Sequence, residues 1–143
     1  MKFPIRKAVM AIIVDDDFRI LIGSSPRDGG YKFPQGGLEP NEDFITGIKR
    51  ELEEELALKI KDTDIIQSYS KKVSYRYPDE DRYIFLSQEL SIVKIQYKKE
   101  MQLMPQDEEF DKLLWISPND LHKYNTYFRA KAYTKALKIC GLL

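Results

Sequence analysis

The chain has 143 residues, 43% hydrophobic and 12% aromatic, enough apolar material for one packed domain over 1–143 and too little length for two ordinary ones. Its 23 basic and 23 acidic side chains cancel, so no overall positive field draws in long nucleic acid, duplex DNA included, and any such contact must rest on a local patch. A single cysteine, Cys140, and a single histidine, His122, exclude an internal disulfide and a His/Cys zinc cluster, and a reducing cytoplasm is expected.

Ala8 to Val14 reads as a buried strand of β-branched and aliphatic residues. It is too short to cross a bilayer and has no small-residue cleavage site after it, so neither a membrane span nor a targeting signal is expected. Asp15-Asp16-Asp17 turns into a second strand, Arg19 to Ile22, and Gly23 to Gly30 is a loop before a short strand, Tyr31 to Phe33, that Pro34 ends. From Asn41, taken as an N-cap, Ile45, Ile48, Leu52 and Leu56 recur at three- and four-residue spacings and predict an amphipathic helix. Ile65 to Tyr77 and Arg82 to Leu90 read as two long strands joined at Pro78-Asp79-Glu80-Asp81, and Leu113 to Ile116 as a shorter one. Ser117 caps a helix with Pro118 at its first position, and Tyr127 to Leu137 forms a last amphipathic helix. The segments Lys94 to Lys99 and Pro105 to Glu108 are expected to be loose. Strands and helices alternate without a βαβ rhythm, which predicts an α+β fold with a mixed sheet covered by helices on both sides.

The Asn41 helix ends in an unusual charge pattern. Glu53, Glu54 and Glu55 sit near its carboxyl end, where the helix dipole disfavours negative charge. At 100° per residue Glu54 and Glu55 fall within roughly 60° of Glu51, so three carboxylates crowd one edge beside the apolar face. Taken alone, such a run is more often a solvated helix face. A glycine pair, Gly36-Gly37, precedes the helix, and glycines let backbone approach a metal or phosphate closely. A hard divalent cation would turn the carboxylate repulsion into affinity.

Gly36, five residues, Glu42, seven residues, then Arg50-Glu51-Leu52-Glu53-Glu54-Glu55 and Leu58 resembles the Nudix box. One position departs: Ala57 stands where the family has glycine. A left-handed helix end costs alanine roughly 1 kcal/mol, so a different helix end is expected here. The resemblance implies a Nudix fold, an α/β/α arrangement with the mixed sheet between helices, and Mg²⁺-dependent hydrolysis of pyrophosphate bonds in nucleotides, with Mn²⁺ able to substitute. It implies Mg²⁺ ligands at Glu51, Glu54 and Glu55, a backbone carbonyl ligand at Gln35, and a loop-fixing role for Arg50 with Glu42.

Tyr31-Lys32-Phe33-Pro34-Gln35-Gly36-Gly37 is similar to a stretch of bacterial RNA pyrophosphohydrolases and dinucleoside polyphosphate hydrolases, with Lys32 replacing their glutamine. Glu109-Phe110-Asp111 with Trp115-Ile116, then Phe128-Arg129 and Tyr133, and Arg6 before the first strand resemble the same group. Where that group carries a Gly-Gln-containing stretch before an aromatic strand, this chain has Pro78 to Tyr83. By this resemblance Glu109 is a further metal-reaching carboxylate, and Arg6 and Phe128 clasp a base next to a 5′ triphosphate of single-stranded RNA. Lys32 and Arg27 are placed to neutralise leaving phosphates, and Arg129 is a further substrate-binding candidate. The general base is Glu54 or Glu109. The expected substrate is a nucleotide or short RNA 5′ end, converted to a monophosphate. A hydrolase of diadenosine polyphosphates or nucleoside triphosphates and a silent nucleotide-binding module are the alternatives.

Overall fold

The computed structural model describes residues 1–106 and 109–143. Strand β1 (Phe3–Val14) is its axis. Its odd residues Val9, Ala11 and Ile13 belong to one apolar cluster and its even residues Ala8, Met10, Ile12 and Val14 to the other, so both faces of the strand are covered. A run apolar on both sides is what a central strand between two layers requires.

β1 pairs in parallel with β7 (Phe85–Gln96), from Phe3↔Phe85 to Val14↔Gln96. All other ladders are antiparallel: β1 with β2 (Ile20–Ser24) and β4 (Gln35–Gly37), β2 with β3 (Tyr31–Lys32) and β8 (Lys112–Ile116), and β7 with β5 (Ile65–Ser68) and β6 (Val73–Arg76). Helix α1 (Phe44–Leu56) covers one face through Ile48, Leu52 and Leu56, and helix α2 (Ala130–Ile139) the other through Ala132, Tyr133, Ala136 and Leu137. The fold is thus the expected α+β sandwich. No helix among the described residues is long and apolar enough to cross a membrane.

Several boundaries differ from expectation. The N-cap of α1 is Asp43, whose carboxylate accepts from Thr46 N–H at 2.9 Å, whereas Asn41 occupies a left-handed turn at φ 63°. Ala57 does take the left-handed conformation, at φ 53°, and the Leu58 N–H reaches the Leu52 carbonyl at 3.2 Å. The helix therefore closes as a glycine-terminated one would, with the strain carried by alanine. Ile65 to Tyr77 divides into β5 and β6, both laid against β7. β7 starts later than expected and continues through Lys94, because its parallel ladder with Ile12, Ile13 and Val14 holds that segment in the sheet. Arg6 lies within β1, not before it. Ser117 makes no side-chain cap bond, and Pro118–Lys123 and Tyr127–Arg129 are short 3-10 turns, so α2 begins only at Ala130. Of the loop expected at Pro105 to Glu108, Asp107 and Glu108 lie outside the described residues.

Candidate active site

The carboxyl-terminal half of α1 is pressed against the β4 loop. Gly36 has no side chain, and a Cβ added there would fall 2.0 Å from the Glu51 carboxyl carbon, so the glycine is what lets that carboxylate lie on the loop. Arg50 ties loop and helix together. Its guanidinium donates to both oxygens of Glu42 at 3.0 and 2.8 Å, to the Gly37 carbonyl at 2.9 Å and to Glu51 at 2.9 Å. This bidentate fork is the strong arginine geometry, and it holds the Glu42 carboxyl below the usual carboxylate range. Glu54 is more exposed and stands 3.4 Å from the same guanidinium.

Glu55 is only 3% exposed. Burial pushes its carboxyl up to about 9, and the nearby Glu109 and Glu51 add to the rise while Lys32 opposes it. The Gln35 backbone N–H donates to it at 3.2 Å. Burial likewise raises Glu51, with Arg50 pulling the other way and Glu54 adding to the rise. In both, the loss of water outweighs the nearby cation, so the neutral form is favoured.

One cleft of about 600 Å³ is lined by the carboxylates of Glu51, Glu54, Glu55 and Glu109 together with the cations Arg6, Arg27, Lys32, Arg82 and Arg129. Several of these charges are already paired. Arg27 meets Glu109 at 2.6 Å and Asp28 at 3.2 Å, and Lys32, 6% exposed, meets Asp28 at 2.6 Å. Lys32 and Arg27 hold the Asp28 carboxyl well below its ordinary value despite burial. Arg129 is buried and donates to the Gly29 and Asp28 carbonyls at 2.9 and 3.2 Å.

The cleft floor is a buried hydrogen-bond chain across five elements. Arg6 donates to Gln88 Oε1 at 3.0 Å, Gln88 Nε2 donates to the Tyr75 hydroxyl, Gln35 Nε2 donates to the same hydroxyl at 2.8 Å, and the Tyr133 hydroxyl donates to Gln35 Oε1. Arginine can only donate, so the Arg6 contact sets which end of the Gln88 amide faces Tyr75.

All but two of the expected residues line this cleft. Arg50 pairs with Glu42, Glu51 and Glu54 without lining it, and Phe128 does not line it either. Its ring packs behind the wall, with Tyr75, Tyr77 and Tyr83 centroids at 5.3, 5.9 and 6.0 Å and the Arg129 guanidinium 4.3 Å over its face. The aromatic surface facing the cleft is Tyr75, Tyr77, Tyr83 and Phe85 instead. Those residues, with Asp28, Arg82 and Gln88, were missed. The alternation Tyr75-Arg76-Tyr77 puts two tyrosines on one strand face and was the available signal.

The oxygen-rich donor set and the Gly36 cradle suit a hard divalent cation. Among the described residues no three acidic, histidine or cysteine side chains already converge on one metal position, because Arg50 draws on Glu51 and Arg27 on Glu109. A cation entering here has to displace those pairs.

An α/β/α sandwich that lays a carboxylate row against a glycine loop, in a cleft lined by both acids and cations, defines a hydrolase of one structural class. The NUDIX domain model matches residues 4–137. The chain therefore belongs to the NUDIX family and is a Nudix hydrolase. It is 29% identical over 93% of its length to an RNA pyrophosphohydrolase of Legionella pneumophila, covering 81% of that protein, and 28% identical over 92% to one of Francisella tularensis, covering 90%. The E. coli dihydroneopterin triphosphate pyrophosphohydrolase shares the fold at a TM-score of 0.78, 14% identity and 99% coverage of both chains. A C. elegans Ap4A hydrolase does so at 0.65 and 17%, over 93% of this chain and 95% of the other.

Proposed function

We propose that the chain is a single-domain cytoplasmic RNA 5′-pyrophosphohydrolase that converts tri- or diphosphorylated ends to monophosphates. The observation that carries this is the cleft itself, whose lining combines four glutamates, five cations and an aromatic wall. The similarity to the RNA pyrophosphohydrolases along nearly the whole chain supports it.

Glu51, Glu54 and Glu55, with Glu109 and the Gln35 backbone carbonyl, are the residues to hold Mg²⁺. When bound, the cation neutralises phosphate charge and makes water more acidic. Arg27, Lys32 and Arg129 face the polyphosphate and orient it, and Arg27 can exchange Glu109 for a phosphate without losing an anionic partner. Arg50 keeps the loop and Glu51 in register. Glu54 accepts the proton of the attacking water, since it is the most accessible of the α1 carboxylates in the cleft, while Arg27 occupies Glu109. Attack at phosphorus breaks the anhydride bond and expels phosphate or pyrophosphate. The base-facing contacts fall to Tyr83, Phe85 and Arg6, with Phe128 bracing the wall.

The test is phosphate and pyrophosphate release, with Mg²⁺, from 5′-triphosphorylated and diphosphorylated RNA beside diadenosine tetraphosphate and free nucleoside triphosphates. RNA turned over fastest, with Glu54→Gln inactive, is the expected result. Faster turnover of a small nucleotide would overturn the RNA assignment, and no turnover of any would overturn the catalytic one.

A further inference from the structure

The chain as a whole is neutral, yet its charge is strongly segregated. From Leu121 to Leu143 there is no acidic side chain, while Lys123, Arg129, Lys131, Lys135 and Lys138 are all basic. Three of these, Lys131, Lys135 and Lys138, lie on α2 and are exposed. None of the three makes an ion pair among the described residues, whereas Lys123 is paired with Asp120 at 3.1 Å. On a helical wheel the three fall within roughly 60° of one another, and they span about 10 Å along the axis. The opposite face of α2 is buried on the sheet through Ala132, Tyr133, Ala136 and Leu137. The helix itself begins at the cleft, because Arg129, which lines the cleft, immediately precedes Ala130.

A row of three exposed lysines, on a helix that begins at the cleft, matches the charge of a polynucleotide backbone. A mono- or dinucleotide has at most one backbone phosphate beyond its 5′ end and cannot occupy such a row. We propose that the solvent face of α2 is the track for the RNA body 3′ of the end held in the cleft, bound through its phosphates without base readout. This rests on the RNA reading above and adds to it a preference for long over very short substrates.

The probes are a 5′-triphosphorylated dinucleotide and a 5′-triphosphorylated single strand of about 20 nucleotides, compared in the wild type and in the Lys131→Gln/Lys135→Gln/Lys138→Gln variant. Glutamine has nearly the helix propensity of lysine, so α2 should persist, and a thermal melt checks it. Binding is followed by fluorescence anisotropy in EDTA, and turnover is measured with Mg²⁺. Each phosphate contact on a single strand adds about 0.7 to the slope of log affinity against log salt, so the variant should lose about 2 of that slope. Between about 50 and about 200 mM salt the wild type should then lose roughly 20-fold more affinity for the long RNA than the variant does. The dinucleotide should be bound and hydrolysed alike by both proteins. A lysine effect equal at both lengths, or absent from both, overturns the track while leaving the cleft reading intact. If wild type fails to hydrolyse even the dinucleotide, the RNA reading falls and the track with it.

Discussion

Glu55→Gln should stabilise the metal-free protein while removing one ligand of the proposed cation site, and the gain should grow with pH. The Glu55 carboxyl is pushed from 4.5 up to about 9 by burial. Because the folded-state value is raised, the folded protein holds a proton that the unfolded chain releases. Stability is therefore complete below about pH 4.5 and declines as pH rises toward about 9. One proton sets the ceiling at about 1.4 kcal/mol per pH unit, so at about pH 8 the wild type carries a penalty of at most about 5 kcal/mol. Glu51, raised by the same burial, shares the patch, and a difference between about 2 and about 5 kcal/mol is expected. Glutamine keeps an oxygen for the Gln35 N–H and has no proton to lose. Urea unfolding from about pH 5 to about pH 9 in EDTA measures the difference, and repeating it with Mg²⁺ should restore the wild type alone, because a cation that binds only the folded carboxylate stabilises it. If wild type and variant run parallel across this range in EDTA, the burial argument for Glu55 is wrong.

Gly36→Ala should abolish hydrolysis and barely move the melting temperature. The added Cβ meets the far end of the flexible Glu51 side chain, which can swing away at little structural cost but not stay in place. Tyr75→Phe should leave Gln88 and Gln35 each with an unpaired buried amide donor, lowering stability by about 1–3 kcal/mol per donor in urea unfolding, whereas an unchanged midpoint would mean water replaces the hydroxyl. Ala57→Gly should raise stability by roughly 1 kcal/mol with activity unchanged, since glycine adopts the left-handed helix end without alanine's strain. A loss of stability would show that the Ala57 methyl contributes packing that outweighs the strain.

The tyrosine wall and the charge cross-links show where reading along the chain stopped. Tyr75, Tyr83 and Gln88 became part of one cleft only through the antiparallel laying of β6 on β7 and the chain's return to Arg129 beside the Gly29 loop. Phe128 is expected to face substrate, yet its ring packs on Tyr75, Tyr77 and Tyr83, which line the cleft where Phe128 does not.

The carboxylate row on α1, by contrast, was readable in one dimension. Glu51, Glu54 and Glu55 share an edge because three- and four-residue spacings coincide with the helical turn, a rule that needs no knowledge of the rest of the fold. The same holds for the alternating faces of β1 between the two helical layers. Which carboxylate is buried, and which cation each one meets, follows from contacts such as Arg27 with Glu109, 82 positions apart. Those depend on sheet register and on which side chains exclude water. Local periodicity placed the charges on one edge; tertiary packing decided their environment, and hence their chemistry.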